Sequence, residues 1–475
     1  MKPSVLLLAL ALVASSDAAW GQRPVSTRMP GERPAARVVR APAPRAPAPR
    51  VMRPTQQVSF EEYVSQDESS LPTGDGGVVD SGTGQYFESD GLGDGFVPDQ
   101  FGQPCATCGG RCPGDCRRHN YLSPLNGGWA NFDYIAWQGK GTQLPALVTT
   151  SPVSSQGVIG APGTQVLFGN QTVDKMTRSG GRIDAGIWLD QSQEFGVGAS
   201  FLGIQRAATA FTARSDANGT PLYARPFIEV PGDINNAQVV SNAGFTSGVI
   251  NVQTANTIFG AEAYLRERLL EEPGYRLDCT YGYRMLRMDE SVDIFDSTVA
   301  IDPSGIVPLG TELVGQDVFN THNTFQGGQI GLISRAQRGC WGYDLIGKFA
   351  IGNIHQVAEV YGNNRLSVPG GETITRPGSL YTQSSNIGTY TRNVFGFLPE
   401  FGVNVHYQFS PLWRVKVGYT FLYLNNVLQA ARTIDQHVNP SQIDGPLIGP
   451  AQPAFSFSSN SYWLQGINVG LECNF

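Results

Sequence analysis

Tyr462-Trp-Leu-Gln-Gly-Ile-Asn-Val-Gly-Leu-Glu-Cys-Asn-Phe475 closes the chain and alternates by twos. One face carries Trp463, Gln465, Ile467, Val469, Leu471, Cys473 and Phe475. The other carries Tyr462, Leu464, Gly466, Asn468, Gly470, Glu472 and Asn474. A period of two marks a β-strand with unlike faces. From Trp463 to Phe475 the run covers roughly 30 Å of tilted strand at about 3.3 Å per residue, with an aromatic at each end. That approaches the ~25 Å apolar band and the aromatic girdles of an outer-membrane barrel. Strands of soluble sheets are shorter, about 5–6 residues.

Working outward, the same alternation recurs over 128–137, 181–190, 194–204, 257–267, 275–285, 322–334, 340–352, 395–409 and 413–423. The third-last of these, for example, sets Trp341, Tyr343, Leu345, Phe349 and Ile351 against Asp344 and Lys348. Long links (138–180, 205–256, 289–321, 353–393, 425–461) alternate strictly with short ones (191–193, 268–274, 335–339, 410–411). The expected fold is therefore all-β: an antiparallel up-and-down transmembrane barrel of about 10–12 strands. Both of its ends and the short turns would face the periplasm, and its long loops would face outward. Phe475 would end the closing strand at the periplasmic rim, and Gly327-Gly328 predicts a bulge.

The remainder of the chain reads as address and tail. Lys2, an apolar run over 5–14 and small residues behind it predict a signal peptide over 1–21. No later stretch approaches eighteen apolar residues, so a membrane span must be made of strands. Residues 22–54 form a Pro/Ala/Arg-rich disordered linker, and 55–104 an acidic Gly/Ser-rich disordered segment without Lys or Arg. A basic block beside an acidic one offers a contact to anionic envelope polymer in the periplasm; a solvated linker is the plainer reading. Cys105, Cys108, Cys112 and Cys116 form a cluster over 105–116. In an oxidising envelope it reads as a disulfide knob; zinc ligation and free or lipid-attached thiols are the alternatives. The barrel domain takes up 126–475.

Several ordered motifs in that domain resemble the BBP7 β-barrel porin family of planctomycete bacteria. They are Gly127-Gly-Trp-Ala-Asn-Phe-Asp-Tyr-Ile-Ala-Trp137, Gly180-Gly-Arg-Ile-Asp-Ala-Gly-Ile-Trp-Leu189, Gly347-Lys-Phe-Ala-Ile-Gly-Asn353 and Val417-Gly-Tyr-Thr-Phe-Leu-Tyr-Leu-Asn-Asn-Val427. The resemblance covers about 126–475 and implies a porin-like barrel. In one loop the chain departs from it: the family tends to carry Arg-Pro-Gly before an Ile-Asp pair, and this chain reads Gln429-Ala-Ala-Arg-Thr-Ile-Asp435.

Charge and motifs narrow the function. A net charge of −7, spread along the chain, argues against nucleic acid as a partner. The five histidines follow no triad or metal-ligand spacing, and no nucleophile-elbow, zincin, phosphate-loop or dinucleotide motif occurs. The chain reads as a non-enzyme without metal or cofactor. The inferred inward faces carry Arg182, Arg266, Arg276, Arg284, Lys348, Arg414 and Lys416 against Asp133, Asp184, Glu262, Asp278, Asp344, Glu400 and Glu472. These are the candidate lumen residues, either lining a small pore or filling the interior with salt bridges. The expected function is passive diffusion of small solutes across the lipid of the outer membrane. The alternative is a structural or surface-interaction barrel (adhesin- or receptor-like) presenting long loops without transport.

Overall fold

The computed structural model describes residues 127–475, apart from 306 and 443–445. The expected signal peptide, the two tail segments, the cysteine cluster and His119 lie outside the described residues.

Ten strands form a ring. They are β1 (Gly128–Gly139), β2 (Thr177–Trp188), β3 (Phe195–Arg214), β4 (Thr246–Glu272) and β5 (Tyr275–Ala300). There follow β6 (Glu312–Arg338), β7 (Trp341–Ser367), β8 (Gly388–Gln408), β9 (Trp413–Leu428) and β10 (Ser459–Asn474). Each strand pairs antiparallel with its neighbours in sequence. The ring closes where β10 pairs β1, from Trp129 opposite Asn474 to Gly139 opposite Leu464. The Phe475 amide continues the ladder by donating to the Gly128 carbonyl, at 3.0 Å.

The outward face explains why this sheet belongs in lipid. On β7 the outward side chains Trp341, Tyr343, Leu345, Phe349 and Ile351 are 46–61% exposed. Phe401, Val403 and Val405 on β8 and Val417 and Tyr419 on β9 continue the same belt. An apolar surface of this extent marks a lipid or partner interface, and its closed ring identifies it as the membrane band. Aromatic pairs edge it: Trp341 against Tyr407 at 4.9 Å near the short turns, Phe349–Phe397–Tyr423 at 6.3 and 5.8 Å on the far side. Cys279 and Cys473 lie on this outward face, partly exposed. Cys340, in the β6–β7 turn, is disulfide-bonded.

Two expectations need correction. The long links of 205–256, 289–321 and 353–393 are mostly strand, because β4 to β7 run for 26–27 residues. Crossing the hydrocarbon takes only about 9–11 tilted residues. Past Ile351 the outward face of β7 turns to Asn353 and His355, so the lipid signal stops although the strand does not. The true β5–β6 link is only 301–311. The Gly327-Gly328 bulge is absent: both ladders of β6 keep register there. Shifts occur instead at Arg268/Leu270, Asn256/Ile258 and Leu424/Val427.

Glycine serves close packing here. A Cβ on Gly186 would stand 2.1 Å from the Trp129 ring, so glycine at that site makes room for an indole inside the barrel. Gly274 holds φ +79° in the Pro273-Gly274 turn between β4 and β5, a conformation that glycine adopts without penalty.

The loops of the other end build a second sheet. Val148–Thr150, Gln165–Phe168, Tyr223–Glu229, Ile234–Ser241 and His437–Val438 pair into five short strands. Their core runs on into the barrel wall: Leu147, Val148, Phe168 and Val240 pack in one cluster with Ile250, Val292, Ile294, Phe319 and Val360.

A positive charge facing mid-band lipid should cost about 2–4 kcal/mol and one beyond the band about 0–1. Val403→Arg is therefore expected to destabilise folding into vesicles by that larger amount, with His355→Arg near neutral, read from urea midpoints. Equal effects would contradict the placement of the band.

Candidate functional site in the barrel interior

Inward side chains alternate with the lipid-facing ones, so the interior is set by strand register. From the short-turn end inward it has a charged layer, an apolar layer, a polar clasp and the loop core.

The charged layer gathers the sequence-predicted residues. Glu400 accepts from Arg182 Nη1 at 2.6 Å and from Arg284. Glu262 meets Lys348 Nζ at 2.7 Å and Arg284 Nη2 at 3.3 Å. Asp278 meets Arg266 at 2.5 Å and Arg276 at 2.8 Å. Lys416 Nζ lies 3.0 Å from Asp133, and Arg414 Nη1 lies 3.8 Å from Glu472. Asp184 has neutral donors instead: Trp129 Nε1 at 2.9 Å and the Tyr264 hydroxyl at 2.7 Å. Asp344 is held by Arg335 Nε at 2.7 Å, and Arg335 also forks onto both Glu472 oxygens at 3.1 Å. The sequence reading placed Arg335 in a turn. Its signal was available, since odd positions from Phe325 to Ile333 already face inward on β6. Arginines also lie over indoles: Arg266 is 4.9 Å from the Trp129 ring and Arg276 is 4.5 Å from Trp188. The cavity left between Arg182, Lys348, Lys416 and Glu472 measures about 80 Å³. Since about 10–15 Å³ of such water-accessible space holds one water, it has room for a few waters. On the short-turn side a wider vestibule of about 630 Å³ opens between Trp188, Tyr275, Arg276, Arg335 and Arg414.

Above this the wall closes on itself. Ile135, Trp137, Leu202, Ile258, Leu286, Phe325, Ile354, Leu398, Leu422 and Leu464 form one cluster, each no more than 5% exposed. They come from every strand of the ring except β2, where Gly180 lies against the Ile135 side chain. No sequence motif announces this layer. It follows from which apolar residues fall at even or odd positions once register is known.

The clasp comes next and holds the loop over 429–435. Asn323 of β6 donates to the Leu428 carbonyl and accepts from the Leu428 amide, both at 2.8 Å, as a backbone partner would. Gln429 donates to Thr142 Oγ1 at 3.0 Å, and the Ala430 amide donates to Glu290 at 3.1 Å. Glu290 also accepts from Asn256 at 2.9 Å and Thr142 at 3.0 Å. It lies past the apolar band on β5, beyond the outward Arg287–Asp289 pair. Burial pushes its carboxyl up to about 7, against the pull of those hydrogen bonds.

Farther out, Arg225 from the loop sheet is fully buried between Asp296 of β5, at 2.5 Å, and Asp317 of β6. Its guanidinium stands 4.8 Å from the Tyr381 ring. Asp317 also accepts from the Tyr381 and Thr382 amides at 3.1 and 2.9 Å, so one wall carboxylate binds two separate loops.

Two His–carboxylate pairs stand apart from the charged layer among the described residues. His322 Nδ1 meets Asp289 at 2.7 Å on the outward wall, and His437 meets Asp435 at 2.8 Å. Neither has a hydroxyl or thiol hydrogen-bonded to its other ring nitrogen. No group of three or more His, Cys, Asp or Glu side chains placed to hold a metal occurs among the described residues.

Replacing Arg225 strands two buried carboxylates, a loss of about 3–5 kcal/mol in comparable cases. Arg225→Met should therefore make 223–241 protease-sensitive while the membrane band stays folded. Unchanged protease resistance would contradict the role given to this cluster.

The model of the family described as "Putative beta barrel porin-7 (BBP7)" matches residues 129–475. No curated protein matches the chain. Among solved structures, the outer membrane protease OmpT from Escherichia coli is similar at 15% identity, over 75% of this chain and 99% of that one, with a TM-score of 0.35. A Pseudomonas aeruginosa FadL homologue is similar at 6% identity, over 74% and 90%, with a TM-score of 0.18. A porin of Rh. blastica, in a mutant form, is similar at 10% identity, over 74% and 99%, with a TM-score of 0.12.

Proposed function

This chain belongs to the BBP7 family of β-barrels, and from that premise we propose that it is a closed outer-membrane barrel that presents its long-strand end at the cell surface. One observation carries this reading. The wall's own side chains fill the lumen, first with paired charges and then with an apolar layer that no loop movement can withdraw. About eight strands enclose just their inward side chains and sixteen to eighteen leave an aqueous channel, so ten lie near the filled end. A small-solute porin needs a continuous wet path, and past the vestibule the space between Arg182, Lys348, Lys416 and Glu472 narrows to about 80 Å³. Passive diffusion, the function the family name carries, thus has less geometric support than a surface role.

Orientation belongs to the same proposal. The short turns and the carboxyl terminus face the periplasm, and β4 to β7 carry the loop sheet well clear of the lipid. Twenty-six-residue strands would serve no purpose in crossing a membrane; they suit lifting a folded surface above it.

In planar bilayers the folded protein is expected to add no conductance steps over the lipid background; stepwise conductance would restore the porin reading. An epitope inserted at Gly370-Gly371 should be reached by antibody on intact cells and one at Pro273-Gly274 should not. The reverse pattern would invert the orientation.

A further inference from the structure

The loop end contains a groove of about 590 Å³ that plays no part in closing the barrel. Its volume lies within the roughly 300–1,000 Å³ of small-molecule sites, which combine an apolar floor with a few convergent polar groups. Phe227, Leu380 and Val438 supply the apolar surface. Leu380 and Val438 are buried by the packing that holds the loops together, so the floor exists before any ligand arrives.

The polar rim is one-sided in charge. Among the described lining residues Arg376 is the charged one and none is a carboxylate. Arg376 stands on the exposed strand Thr373–Pro377 and has no ion-pair partner among the described residues. Carboxamides of Gln238 and Asn364 share the rim. The vestibule at the short-turn end is of similar size, but Arg276 and Arg335 there are already neutralised by Asp278, Asp344 and Glu472.

We propose that this groove binds a small organic anion, an aromatic or branched hydrocarbon body carrying one carboxylate. The body would lie on Phe227 and Leu380, and the carboxylate would take two parallel hydrogen bonds from the Arg376 guanidinium. The carboxamides would donate to any further oxygen. This rests on the surface-presentation reading, for which it names a ligand class, but its test is independent. Conductance or an inverted orientation would overturn that reading and leave binding untouched.

Saturation-transfer NMR or calorimetry on amphipol-held protein tests it with three probes: 2-naphthoate, naphthalene-2-carboxamide and 2-naphthylmethylammonium. Saturable binding of 2-naphthoate is expected, with the ammonium probe weakest. Arg376→Gln, an exposed position whose loss leaves the fold intact, should weaken 2-naphthoate by about tenfold or more and leave the carboxamide unchanged. Ala237→Trp, which fills the groove from its wall, should abolish both. No saturable binding of 2-naphthoate, equal affinity in Arg376→Gln, or undiminished binding in a folded Ala237→Trp would each overturn the proposal.

Discussion

Everything in this molecule depends on the pairing of β10 with β1. A strand edge in hydrocarbon leaves amides and carbonyls without partners at several kcal/mol apiece, so the sheet must close or stay out of the membrane. Closure at ten strands then fixes the width of the interior. With that width given, the inward residues beyond the vestibule face one another more than water and pair among themselves. The carboxylates of Glu262, Glu400, Asp278 and Glu472 each find a cation within the barrel. Closure thus determines both the apolar exterior and the paired interior.

The interior is ordered by depth. Charges lie nearest the short turns, where a wide vestibule admits water. An apolar layer follows within the wall, and beyond it polar clasps receive the loops. Buried ion pairs gain little over well-packed apolar residues but are costly to break. Arg225 therefore works as a constraint on where the loop sheet sits, between two strands that carry Asp296 and Asp317. The Asn323–Leu428 double hydrogen bond does the same for the loop after β9.

Much of this was legible in the sequence because lipid imposes a period of two on every crossing. All ten crossings and the inward side of Arg182, Glu262, Lys348 and Glu400 follow from that period. Legibility ended where lipid ends. On β5 the outward face turns polar at Arg287 and Asp289, so Glu290, Val292, Ile294 and Asp296 looked like loop although they alternate as strictly as before. Arg335 was lost at the other rim for the same reason. The loop sheet left no trace, since its strands run from two to eight residues and come from three separate links. The stretch from Gln429 to Asp435 read as loop, and only the fold shows its start held against Glu290 through the Ala430 amide.

Wall side chains, not a movable loop, form the apolar layer across the interior. Accessibility of a cysteine placed in the apolar layer tests this most directly. In a chain whose seven native cysteines are replaced by serine, Leu398→Cys should resist a charged, water-borne methanethiosulfonate for as long as the barrel stays folded. Rapid modification of that thiol in the folded barrel would mean that water reaches the layer, and the account of a closed interior would fail.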